Sequence, residues 1–87
     1  MLNELIGAIV VVDLSSPFVC LGTLTRVDDH LLELKNADLH DLRDTETSRE
    51  NYVAASKMTG VKRNRKKVFV VRTEVIAVSR LGDVVDE

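Results

Sequence analysis

Residues 8–37 read AIVVVDLSSPFVCLGTLTRVDDHLLELKNA, and the punctuation of this stretch sets the architecture. The run 8–14 is rich in Val, has no helical period and predicts a strand buried on both faces. Ser15-Ser16-Pro17 predicts a turn, because Pro17 fixes its own φ and biases Ser16 away from helix. The run 18–27 predicts a second strand. Gly22 in its middle weakens that strand, which predicts a bend, a bulge or a close backbone approach. Asp28-Asp29-His30 is a polar turn, and 31–37 predicts a third strand.

Beyond residue 37 the pattern changes. Thr47-Ser48-Arg49-Glu50 matches a capping box with Thr47 as the cap, predicting a helix over about 48–58. Gly60 suits the left-handed position past its end. Tyr52, Ala55 and Met58 form a narrow apolar stripe with Val53 beside it. The runs 67–72 and 74–80 predict two more strands. Only Thr73 separates them, so one long strand with a sharp bend is expected. Val68 and Val70, like Phe69 and Val71, make this segment apolar on both faces. An unprotected edge of this kind favours pairing with another chain. Head-to-tail pairing that closes gives a ring.

The chain has 87 residues, enough for one domain with one thin core. With 45% hydrophobic and 3% aromatic residues, that core rests on Val, Leu and Ile, which favours strands. The expected class is mostly β: five strongly bent antiparallel strands with a helical insertion over about 38–67. A single cysteine, Cys20, rules out an intrachain disulfide, and its apolar setting predicts a buried structural thiol. The start lacks the layout of a signal peptide, and no apolar run reaches membrane-helix length, so a cytoplasmic protein is expected. Net charge is −2, but the segment VKRNRKK at 61–67 holds five of the twelve basic residues. Any contact with a polyanion is therefore expected to be local.

Leu5-Ile6-Gly7, the apolar Val10, Val12 and Leu14, Gly22-Thr23-Leu24 and Val27-Asp28-Asp29-His30-Leu31 together resemble the first motif of the Sm and Sm-like (LSm) family. Val71-Arg72 followed by Val75-Ile76 resembles the second. The resemblance covers about residues 2–37 and 68–79. It implies an SH3-like barrel over 1–87 that forms a homo-hexamer or homo-heptamer ring and binds single-stranded RNA. It places the RNA pocket at Asp28, His30, Leu32 and Arg72. Leu31-Leu32 stands where the family has Met-Asn, and Arg72-Thr73 where it has Arg-Gly. The amino-terminal helix is cut to a turn, and the insertion is longer than the family's loop.

Residue chemistry refines these expectations. The His30 imidazole can stack on a base, or serve only its turn through Asp28 or Asp29. Arg72 can contact a phosphate, or pair with Glu74. Leu32 has no amide to read a base edge and suits the core of the third strand. Asp28 suits a turn that binds backbone amides. Lys62, Arg63, Arg65, Lys66 and Lys67 form a second candidate set of phosphate contacts. A solvated loop, or ion pairs between them and Asp38, Asp41, Asp44 and Glu46, is the favoured reading. Tyr52 is expected to pack its helix rather than stack a base. His30 and His40 lack metal-ligand spacing. Ser15, Ser16 and Cys20 lack a partner base, so neither a metal, a cofactor nor catalysis is expected. Two functions follow: an RNA-binding ring with weak base specificity, or an Sm-fold scaffold that binds other proteins through the insertion and has lost RNA.

Overall fold

The computed structural model describes residues 1–44 and 46–85. A single 3-10 turn at Leu2–Leu5 leads into β1 (Ile9–Leu14), β2 (Phe18–Val27) and β3 (Leu31–Asp41). Helix α1 (Arg49–Thr59) follows, then β4 (Arg65–Val71) and β5 (Val75–Arg80). All pairings are antiparallel, in one five-stranded sheet of order β4-β3-β2-β1-β5. The sheet is open, with β4 and β5 as its two edges. No helix among the described residues is long and apolar enough to cross a membrane.

Both faces of the central strands are covered, as the Val-rich β1 predicts. Val10, Val12, Cys20, Leu24, Leu32 and Leu34 build one core. Val11, Val19 and Leu21 point the other way and meet Val53 of α1 and Leu81. Alternation along each strand produces this division. Cys20 is fully buried, and burial pushes its thiol up to about 11, with the nearby Asp38 charge adding.

Gly22 marks a close backbone approach. A Cβ there would lie 3.0 Å from both Cα and Cβ of Ala37. The β2–β3 register slips between Leu21 and Thr23, opposite Asn36, whose φ is +51°. Asn tolerates this left-handed conformation better than most residues. Its Oδ1 accepts a hydrogen bond from Arg63 Nη1 at 2.6 Å and so ties down the approach to β4.

Several expected boundaries shift. β3 runs to Asp41 rather than stopping at 37, and β4 starts at Arg65, so the excursion between them shrinks to 42–64. The helix cap is Ser48, not Thr47: Ser48 Oγ accepts from Asn51 N at 3.2 Å. Both residue types cap well, and the burial of Val53 selects the register. The buried face of α1 therefore carries Val53 and Ser56, while Met58 is 79% exposed. Past the helix Gly60 has φ +92° and ψ 162°, a combination open to glycine but not the left-handed helical conformation expected. The bend at Thr73 is a 3-10 turn over Arg72–Glu74. It separates two strands with different neighbours, β3 for β4 and β1 for β5, rather than bending one strand.

Candidate nucleic-acid interface

The turn between β2 and β3 is held by Asp28. Its Oδ1 accepts from the backbone N–H groups of His30 and Leu31, each at 2.7 Å. These two donors hold the carboxyl below the usual aspartate range. The Asp28 side chain therefore shapes the turn through backbone amides, as its sequence position predicts. The His30 ring is exposed and is not the partner of Asp28.

Arg72 comes to this turn from the other end of the chain. Its backbone N–H donates to His30 O at 2.8 Å, and its Nη1 donates to Asp28 O at 2.6 Å. Glu74, the alternative partner, instead accepts from Ser15 Oγ at 3.0 Å. The structure thus brings Asp28, His30 and Arg72 together, with His30 exposed and Arg72 half-buried.

Leu32 does not join them. It is fully buried, paired with Val27 and Val70 inside the core. Leu32 lies two residues along β3 from the exposed turn, where the strand has already entered the sheet.

The basic segment is solvent-exposed, without the ion pairs offered as the other arm of that reading. Among the described residues Lys62, Arg63, Arg65, Lys66 and Lys67 make no ion pair with Asp38, Asp41, Asp44 or Glu46. Asp41 pairs with Arg43 at 2.8 Å, and Asp38 accepts from Tyr52 Oη. The segment's one ion pair among the described residues joins Lys67 Nζ to Glu33 Oε1 at 3.7 Å. All five basic side chains are exposed.

Tyr52 packs its helix, as expected. Its ring stacks on His40, with centroids 4.0 Å apart and planes 8° from parallel. Among the described residues no three His, Cys, Asp or Glu side chains converge as metal ligands would.

Sequence reasoning missed one feature. A hollow of about 220 Å³ beside the turn is lined by Arg26, Val27, Asp28, Leu31, Glu33 and Phe69. It depends on Glu33 lying opposite Phe69 across the β3–β4 ladder, a register that neither strand reveals alone. Alternation of Arg65, Lys67, Phe69 and Val71 along β4 was the available signal. No family model matches this chain, and no curated protein matches it.

Proposed function

We propose that this chain is a ring-forming Sm-like subunit that binds single-stranded RNA with weak base specificity at His30 and Arg72. The strand order, and the three-residue link between edge strands, support a strongly bent barrel. Laid flat, four spacings of about 4.8 Å would separate β4 from β5 by roughly 19 Å. The path from Val71 to Val75 reaches at most about 14 Å. The sheet must curl for the link to close.

One observation carries the RNA reading. Arg72 binds the Asp28–His30 turn through both backbone and side chain, across 44 residues of sequence from Asp28. A stacking face and a fixed positive charge then share one exposed spot, suited to a base and its phosphate. Position 32 supplies no amide beside them, since it is a leucine in the core. Stacking accepts every base, so uridine and adenosine should bind alike.

Anisotropy titration of labelled U-rich and A-rich oligoribonucleotides at two salt concentrations tests this. His30→Ala should weaken both sequences equally. Arg72→Ala should also flatten the salt slope by about 0.7, the value for one phosphate contact on a single strand, and Arg72→Lys should restore that slope. Strong uridine preference in the wild type would reject the weak-specificity reading. Absence of binding at any salt would reject the RNA reading and leave the protein scaffold built on the insertion.

A further inference from the structure

The outer face of the β3–β4 pair carries more positive charge than the fold offsets. Lys35 lies directly opposite Lys67 across the ladder. Like charges in that position destabilise a sheet. Two residues further along β4 stands Arg65, on the same face by alternation and exposed. Glu33 offsets one of these charges, but its carboxylate is turned inward. Residue 33 is 7% exposed, and Oε2 accepts from Thr25 Oγ1 at 2.6 Å. The cations remain outside, with the Lys67 side chain 48% exposed.

At the other end of the same face, Phe69 is 54% exposed and lines the hollow together with Arg26 and Asp28. An aromatic ring standing in water beside an arginine costs solubility unless something covers it. Flat bases cover such rings, and phosphates meet the neighbouring cations. From Arg65 to Val71 the strand runs about 20 Å. It ends at the His30–Arg72 turn, because Arg72 follows Val71 directly.

We propose that this face is a second single-strand site continuous with the first. A base stacks on Phe69 in the hollow, and the following phosphates lie along Lys35, Lys67 and Arg65. The proposal rests on the RNA reading above and extends it from a spot to a track. An acidic peptide would satisfy the cations but has no flat face for Phe69. A duplex would satisfy the cations but keeps its bases stacked on each other.

The test uses the full chain and an unstructured oligoribonucleotide carrying one 2-aminopurine, whose fluorescence falls on stacking. The triple variant Lys35→Gln/Arg65→Gln/Lys67→Gln should reduce the slope of log affinity against log salt by about 2, at 0.7 per phosphate. Phe69→Ser should abolish the quench and weaken binding roughly tenfold, whereas Phe69→Tyr should keep both. An unchanged slope in the triple variant, with binding still lost in His30→Ala, would overturn the track and leave the turn site standing. Loss in the triple variant and Phe69→Ser, with His30→Ala and Arg72→Ala binding normally, would keep the track and overturn the turn site. Competition by poly-glutamate as strong as by RNA, with Phe69→Ser binding unchanged, would make the face an acidic-peptide surface and overturn the proposal. A wild type that binds no oligomer would overturn both.

Discussion

Leu32 limits how the proposed turn site could read a base. The resemblance asks for an amide at this position, and the structure puts a leucine there in the middle of the core. An asparagine at the same position would have its amide surrounded by Val27 and Val70 rather than facing a ligand. Leu32→Asn removes buried hydrocarbon and buries an unpaired polar group. It should therefore destabilise by about 3–5 kcal/mol, read as a lowered urea midpoint. It should not create uridine preference in the titration above. A variant of unchanged stability that gains uridine selectivity would mean that β3 places residue 32 at the surface. That His30 and Arg72 meet was legible because the resemblance places both at one spot. The burial of Leu32 was legible from its apolar neighbours. The cross-strand meeting of Lys35 with Lys67 was not, because it depends on how two distant strands pair around the irregularity at Asn36.

At the scale of elements, strands were easier to read than the insertion. The Val-rich runs have one sensible conformation, and all five form strands at or near the expected places. The last four residues of β3, Asp38-Leu39-His40-Asp41, fell into the expected insertion because three of the four are polar. They are strand because they pair with Phe18–Leu21 of β2, and α1 adds one side chain over two of them. Tyr52 stacks on His40 and donates its hydroxyl to Asp38, which is 8% exposed. Burial and the Asp38 carboxylate raise the Tyr52 hydroxyl well above the usual tyrosine range, so it stays a donor. Tyr52→Phe keeps the stacked ring and removes only that donor. It leaves a buried carboxylate short of a partner, which costs about 1–3 kcal/mol. Hydrogen exchange should then quicken in α1 and in residues 38–41, while β1 and β2 keep their protection. Equal loosening throughout would show that the insertion unfolds with the sheet as one unit.

For the whole molecule, the edges of the sheet are the outstanding physical problem. β4 and β5 offer unpaired backbone on opposite edges, and both carry exposed apolar side chains: Val71 at 51% and Ile76 at 67%. Isolated chains with such edges aggregate unless the edges are blunted, and no proline lies in either strand. Pairing β4 of one subunit with β5 of the next satisfies both edges at once. The two edges differ, so each contact is head-to-tail and must either close into a ring or grow into a filament. In the proposed ring, the short link through Arg72–Glu74 would hold the two edges at one angle to each other. Light scattering should give six or seven times the 9.7 kDa monomer mass, unchanged on dilution into the micromolar range. Ile76→Lys places a charge on one edge only, so it should yield monomers or short oligomers that keep their circular dichroism. Mixing it with the wild type should poison ring closure, because every ring needs each edge of every member. A wild type at the monomer mass would overturn the ring. An Ile76→Lys protein at full ring mass would move the contact away from β5.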